Sequence, residues 1–164
     1  MNKFIIICTL VFCNVLHAEK VIGDWKVAEL GNFIVAKTTN ASNETTGVFC
    51  GDASKACFPY LILSNRCSEN KVSVLLINSS EGVFTVQTTC MLIEDKYVSI
   101  FDESYSKQIL EVFIEGQPFG FAAALDNGYF KSIRFSGIGA KKALEEANKL
   151  RSIKKENETK SFTF

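Results

Sequence analysis

Short runs of β-branched and aromatic residues, separated by polar turns, recur along most of this chain and limit its possible folds more than any other feature. Such runs favour β-strands, and about eight or nine of them at short spacing are typical of an antiparallel sandwich or barrel. They lie at residues 25–30, 33–38, 57–63, 72–78, 83–90, 97–101, 109–115, 119–125 and 129–136, with a polar loop at 40–47. The sequence therefore predicts a mainly β domain built as an antiparallel β-sandwich or barrel-like sheet.

The last regular segment has a helical period instead. Apolar residues recur there at three- and four-residue steps, at Ala140, Ala143, Leu144, Ala147 and Leu150. This spacing predicts one C-terminal amphipathic helix packed on the sheet. We expect a single β-rich α+β domain over residues 19–155 and a frayed C-terminal tail over 156–164.

Two hairpins can be placed from their turns. Gly31-Asn32 predicts a tight two-residue loop. The turn 126–128 allows a two-residue or a three-residue loop, and a slip of one residue moves every side chain to the other face of the sheet. The three-residue register places Phe121 opposite Ile133 and collects more apolar residues on one face. We therefore predict this register, with Gly128 at positive φ.

The N-terminus has the pattern of a secretory signal peptide. Lys3 precedes an apolar run at 4–16, and Ala18 supplies the small residue expected at a cleavage site. The run is shorter than the roughly 20 apolar residues that cross a bilayer. We therefore predict a signal peptide over 1–18, a periplasmic or secreted protein, and no membrane span in the mature chain.

Cysteine usage fits an oxidising compartment. Of the six cysteines, four lie outside the predicted signal peptide, at Cys50, Cys57, Cys67 and Cys90. Four cysteines allow three pairings. We favour Cys50–Cys57 as a local loop and Cys67–Cys90 as a clasp across a hairpin. A four-cysteine zinc site usually pairs its ligands at gaps of about two to four residues, and these gaps are wider.

The chain is poorly equipped for several chemistries. His17 is its one histidine, and the predicted cleavage removes it. The mature chain therefore lacks Ser-His-Asp and Cys-His pairs and histidine-ligated metal sites. The 18 basic residues balance the 18 acidic ones, so no basic surface for nucleic acid is indicated. We expect no cofactor, no metal and no nucleic-acid partner.

Paired carboxylates remain possible catalytic groups, because glycosidases need two of them about 5–9.5 Å apart. The candidates are Glu94, Asp95, Asp102 and Glu103 around one predicted strand, and Glu111 and Glu115 on another. Carboxylates at strand ends are more often solvated turn residues. We therefore expect that the protein is not an enzyme.

The aromatic residues indicate contact surfaces only in a general way. Trp25 lies among alternating apolar residues, which is typical of a core anchor. Tyr60, Tyr97 and Tyr105 are the candidate contact aromatics, because tyrosine tolerates a position that is half in water.

Three blocks of sequence carry a resemblance. They are Gly47-Val48-Phe49-Cys50 with Cys57, the stretch from Cys67 through 74–79 to Cys90, and the stretch from Gly120-Phe121-Ala122 to Gly139-Ala140. Together they resemble small exported bacterial proteins to which no activity is assigned. More distantly, the chain resembles the invasion-associated locus B family. That family has a cysteine soon after its tryptophan, where this chain has Leu30 and Gly31. The resemblance implies a location in the cell envelope and no catalytic residues.

Three hypotheses of function follow. The leading one is a non-enzymatic exported binding module that acts by protein–protein contact with an envelope or extracellular protein, for which an inhibitor or immunity-type protein is one concrete form. The second is a carboxylate-based hydrolase of envelope glycans. The third is an envelope or host-interaction factor like the invasion-associated locus B family.

Overall fold

The computed structural model describes residues 19–51, 57–64, 67–93, 95–124 and 129–161, with side chains through Glu156. The strands are β1 (Lys20–Ile22), β2 (Trp25–Leu30), β3 (Phe33–Thr39), β4 (Thr45–Gly51), β5 (Cys57–Ile62), β6 (Val72–Ser79), β7 (Gly82–Ile93), β8 (Lys96–Phe101), β9 (Phe119–Ala124) and β10 (Phe130–Phe135). The helices are α1 (Glu103–Ile114) and α2 (Ala140–Ser161).

All ten strands belong to one antiparallel sheet, in the order β1-β2-β3-β4-β5-β8-β7-β6-β9-β10. The sheet curls into a half-barrel. The prediction of a mainly antiparallel, barrel-like sheet with a C-terminal helix is confirmed. The architecture is a single curled sheet, not a two-sheet sandwich.

The main core lies on the inner face of the sheet, which we define as the face covered by the two helices. Trp25 is fully buried there, as predicted for a core anchor, and its ring centroid lies 5.4 Å from that of Phe113 on α1. Its Nε1 donates a hydrogen bond to the backbone oxygen of Ser136 at 2.9 Å. Alanines form the buried stripe of α2 and are fully buried, at Ala140, Ala143 and Ala147. Small side chains let this helix pack closely on the strands.

The predicted strand at 109–115 is wrong, because these residues belong to α1 and its C-terminal end. Asp102 caps the helix by accepting a hydrogen bond from the backbone N–H of Ser104 at 2.9 Å. Ile109, Val112 and Phe113 then follow helical spacing and are buried. The apolar run at 109–115 by itself suits a strand. It forms a helix because Asp102 caps the N-terminus of α1 and because its apolar side chains are buried on the inner face.

Other bounds also differ from the sequence-based expectation. Strand β4 begins at Thr45, so the loop predicted at 40–47 is shorter. Strand β1 was not predicted at all. Helix α2 continues past residue 155 to Ser161.

The strand pairing agrees with the predicted loop at Gly31-Asn32 and with the predicted register of the second hairpin. Leu30 pairs with Phe33 across a two-residue loop, and Gly31 has φ +57°. Phe121 pairs with Ile133, as the three-residue register requires, and this register continues to the pair of Ala124 and Phe130. The turn with Gly128 lies outside the described residues.

The structure contains both favoured disulfides. Cys50 and Cys57 are directly opposite each other on β4 and β5, with a Cα–Cα distance of 4.2 Å. Cys67 is joined to Cys90 on β7, with a Cα–Cα distance of 5.9 Å. The predicted signal peptide lies outside the described residues. In the part of the chain that the structure describes, neither helix is long and apolar enough to cross a membrane.

Candidate functional site

A second apolar cluster lies on the outer face of the sheet, opposite the main core. Its buried members are Val35, Tyr60 and Val98, with exposed fractions of 6%, 5% and 5%. Phe49, Ile62, Ile93 and Ile100 pack against them. We call this set the outer-face cluster. It spans β3, β4, β5, β8 and the end of β7, which includes the middle of the sheet.

The sequence of these strands explains why the cluster forms. An antiparallel sheet with one solvated face normally alternates apolar and polar residues. Here consecutive residues are apolar: Ile34 and Ala36 point into the main core, while Val35 between them belongs to the outer-face cluster. The same holds for Phe49 between Val48 and Cys50. These strands are therefore apolar on both faces, although α1 and α2 cover only the inner one.

Aromatic side chains hold the cluster together. The ring of Phe49 lies at its centre, with centroid distances of 5.7 Å to Phe33, 5.6 Å to Phe58 and 6.0 Å to Tyr60. The Phe33–Phe49 pair is edge-to-face, which is a favourable arrangement for aromatic rings. The cluster is thus a packed surface and not a scatter of exposed side chains.

The cluster forms the floor and walls of an open groove with a cavity volume of about 180 Å³. Leu30 and Phe33 line one end and are 49% and 38% exposed. A cavity of about 150 Å³ holds one benzene molecule, whereas drug-sized ligands occupy sites of about 300–1,000 Å³. We call this site the outer-face groove. Its size suits one large apolar side chain.

A glycine leaves a gap in the outer row of side chains. Gly47 lies between Lys37 on β3 and Tyr60 on β5 in the strand register. A Cβ atom at Gly47 would lie 2.0 Å from the backbone oxygen of Ala36, so no side chain fits there. The close approach of β3 and β4 therefore requires glycine at this position on the face that carries the groove.

The charged residues that line the groove are two lysines on opposite sides, Lys37 on β3 and Lys96 on β8. The Lys37 ammonium contacts a carboxylate oxygen of Glu19 at 3.1 Å, and Lys26 contacts the other oxygen at 2.9 Å. The hydrogen bond from Lys26 is the largest cause that lowers the pKa of Glu19, and Lys37 adds to it. Lys96 is exposed and forms no ion pair with any described residue.

The structure places one of the three candidate tyrosines in the groove. Tyr60 lines it, and burial raises the pKa of its hydroxyl. Tyr97 is half-buried on β8 and alternates with Val98, which assigns it to the other face. Tyr105 lies on α1 and packs against the main core.

The candidate carboxylates lie mainly at the surface and do not form a common site. Asp95 is in the turn before β8, and Asp102 caps α1, where hydrogen bonds from Ser104 lower its pKa. Glu103 is in the first turn of that helix. Glu111 and Glu115 lie on the same helix and at its C-terminal end, not on a strand as predicted.

Most of these carboxylates have structural roles or are solvated. Glu111 contacts Lys107 one helical turn away at 3.8 Å, and Glu115 accepts a hydrogen bond from Ser80. Glu94 lies outside the described residues. The described residues contain no group of three His, Cys, Asp or Glu side chains placed to hold a metal ion.

The fold buries one carboxylate, Glu44, that was not among the predicted site residues. Glu44 is 1% exposed and forms an ion pair with Lys131 of β10. Asn40 Nδ2 and Ser64 Oγ each donate a hydrogen bond to it at 3.1 Å. Burial raises the pKa of Glu44, but the hydrogen bonds from Lys131, Asn40 and Ser64 outweigh this effect and lower it. In the sequence Glu44 is one polar residue in a polar loop, so no local pattern indicates its burial.

This polar cluster also contains a serine–lysine contact, since Lys131 Nζ donates to Ser64 Oγ at 2.6 Å. Serine–lysine pairs act as nucleophile and base in some hydrolases. The lysine must then be neutral to accept the proton of the serine. In this structure Lys131 forms an ion pair with Glu44 instead. The contacts of Glu44, Ser64 and Lys131 therefore suit a structural role. They join the β3–β4 loop, the residues just after β5 and strand β10.

The fold is similar to a solved structure. Invasion associated protein B from Bartonella henselae superposes with a TM-score of 0.58 over 82% of this chain and 99% of that chain, at 14% sequence identity. At this identity the likeness shows the fold alone. No protein-family model matches the chain, and no curated protein matches its sequence.

Proposed function

We propose that this protein is an exported binding module that contacts a partner protein through the outer-face groove. The single observation that carries the proposal is an aromatic, apolar cluster in the middle of a sheet face that neither described helix covers. Contiguous exposed apolar surface rimmed by polar residues marks interaction sites. In this protein the exposed apolar part is the rim at Leu30 and Phe33, beside the buried members of the cluster.

The groove has the features of an interface anchor site. Side chains that dominate binding energy are usually large and lie in desolvated pockets near the centre of an interface. The groove offers a pocket for one such side chain, ringed by Leu30, Phe33 and Phe49. A small-molecule site would need a larger and more enclosed cavity.

The disulfides support the compartment that the proposal needs. Two of them in one domain fit an extracytoplasmic protein, because oxidising compartments form and retain such bonds. The structural likeness to invasion associated protein B favours an envelope or host-interaction factor as the form of this binding module. An inhibitor of an envelope enzyme is the other form.

A position-specific cross-link tests the binding function. A photo-reactive amino acid at Leu30 should give one discrete adduct in cells, whereas the same residue at Ile138, which is 60% exposed before α2, should not. The Phe33→Ser change in the Leu30 variant should remove the adduct, because it removes part of the groove wall. Adducts of equal yield at both positions would contradict the proposal.

The hydrolase hypothesis is tested beside it. We expect no turnover of peptidoglycan or simple glycosides by the purified protein. Single changes of Glu94, Asp95, Asp102, Glu103, Glu111 and Glu115 to the matching amide should also leave its biological effect intact. A catalytic acid or base contributes about 10²–10⁴-fold, so a near-total loss in one variant would favour the enzyme.

A further inference from the structure

We infer that the outer-face groove selects an extended protein segment in which one apolar side chain is flanked on both sides by carboxylates. This inference rests on the proposed function and adds the chemistry of the partner. It is carried by the apolar floor, by the volume of about 180 Å³ and by the two lysines on opposite walls.

The charge of the walls favours an acidic partner. Lys37 and Lys96 are the charged residues that line the groove, and lysine side chains are cationic hydrogen-bond donors. A partner with basic residues at these places would meet like charges, which disfavours binding. An acidic partner would find one cation on each side of its anchor.

Glu19 shows that a carboxylate fits at the Lys37 wall. Its oxygen lies 3.1 Å from Lys37 Nζ, and both side chains are about one-third exposed, at 29% and 35%. Exposed ion pairs of this kind are weak. A carboxylate of the partner can therefore replace Glu19 at little cost, while Lys26 retains Glu19 at 2.9 Å.

The strand order gives the spacing of the two carboxylates. Strands β4 and β5 lie between β3, which carries Lys37, and β8, which carries Lys96. Three inter-strand steps of about 4.8 Å separate the two lysine backbones by roughly 14 Å across the strands. The row of Lys37 reaches β8 at Ile100, four residues from Lys96, which adds roughly 13 Å along the strands and gives about 19 Å in all. Four residues of an extended segment cover about 13 Å and place alternate side chains on one side. An acid-x-apolar-x-acid segment that crosses the strands diagonally therefore directs all three side chains to the groove. The flexible four-carbon side chains of Lys37 and Lys96 span the remaining distance to its two carboxylates.

Peptide titration tests this inference. The probe is a nine-residue peptide with phenylalanine at its centre, aspartates two positions to either side, and glycine and serine elsewhere. Its twin has lysines in place of the aspartates. Methyl NMR signals of Val35, Ile62 and Val98 should shift with the acidic peptide, and the lysine twin should bind about two- to tenfold more weakly.

Charge-reversal variants sharpen the test. Lys37→Glu combined with Lys96→Glu should invert the preference between the two peptides. Glu19→Gln should strengthen binding of the acidic peptide by about twofold, because it releases Lys37 from a weak exposed pair. The matched control is Lys107→Glu on α1, whose side chain is 92% exposed, and it should leave both affinities unchanged.

Four results would overturn the inference. They are equal affinity for the two peptides, no methyl shift with either peptide, methyl shifts on dilution of the protein alone, and displacement of the acidic peptide by octanoate. The last two would assign the groove to a second copy of the chain or to an amphiphilic anion. If the photo-cross-linked adduct at Leu30 still forms in any of these cases, the proposed binding of a partner protein is retained. Only the inferred preference for an acidic segment is then wrong. If the adduct is also lost, the proposed function fails as well.

Discussion

The two faces of the sheet use apolar side chains differently. On the inner face, Trp25 of β2 and Phe113 of α1 are fully buried between the sheet and the helices. On the outer face, Tyr60 is almost as buried, but the rim residues Leu30 and Phe33 remain 49% and 38% exposed. The inner face gains its stability from complete removal of apolar surface from water. The outer face leaves apolar surface that neither described helix covers, and the proposed function assigns that surface to a partner.

The largest effect should come from the inner core. Phe113→Ala should lower the free energy of unfolding by about 3–5 kcal/mol, because it removes a fully buried ring and leaves a cavity. The matched change Phe33→Ala on the outer rim should cost no more than about 1 kcal/mol, because the ring is already partly in water. Urea unfolding of both variants measures the difference. Equal costs would mean that the outer face is part of the folding core.

The next largest effect on stability should come from removing the disulfide between Cys67 and Cys90, of which Cys90 is 2% exposed. Replacing Cys67 and Cys90 together by serine should lower the free energy of unfolding by about 3.5 kcal/mol, because a long loop is released in the unfolded chain. Replacing Cys50 and Cys57 together by serine releases a shorter loop and should cost about 2.5 kcal/mol. Thermal unfolding under non-reducing conditions compares the two variants. The reverse order would contradict the loop-length argument, and peptide mapping that found mixed pairs would contradict the connectivity itself.

The smallest effect on stability is expected at Glu44, whose ion pair with Lys131 joins the β3–β4 loop to β10. Glu44→Gln should cost about 1–3 kcal/mol at neutral pH, because hydrogen bonds to a charged group are lost. The pKa of Glu44 is lowered from 4.5 in the folded protein. Its contribution is therefore present above the unfolded pKa and is lost as the pH falls through the lower folded pKa.

The pH dependence separates Glu44 from the other acids. The wild-type protein should lose stability between about pH 5 and the folded pKa of Glu44, and the Glu44→Gln variant should lose less over this interval. The control is Glu111→Gln, whose carboxylate is 57% exposed and paired only one helical turn away. Parallel pH profiles of stability for wild type and Glu44→Gln would show that the ionised Glu44 carboxylate does not contribute to the stability of the folded protein.

Much of the fold could be predicted because its patterns are local. The alternation within β2 and β3 and the turn at Gly31 fix one hairpin, and the apolar match of Phe121 with Ile133 fixes another. Helix α1 was missed because residues 109–115 are rich in residues that also suit strands. Its cap at Asp102 lies well before that apolar run, so a reading of the run alone does not reveal the helix.

The candidate site was predicted less well than the fold. Tyr60 was among three tyrosines of equal standing, and only strand order separates it from Tyr97 and Tyr105. Lys37 and Lys96 are far apart in sequence and had no pattern that connected them. The groove exists because β5 leaves the sequential order and pairs with β8, which brings Val98 beside the aromatic residues of β4 and β5.

The sequence by itself determined the strand-rich class, the C-terminal helix, a hairpin register and a favoured cysteine pairing. Each of these depends on periodicity or spacing within a few tens of residues, where backbone geometry leaves few choices. Only the tertiary structure decided which apolar face would be covered by helices, that Glu44 would be buried and that Lys37 and Lys96 would line the same groove. These outcomes depend on the pairing of distant strands and on how far two helices extend over one curled sheet.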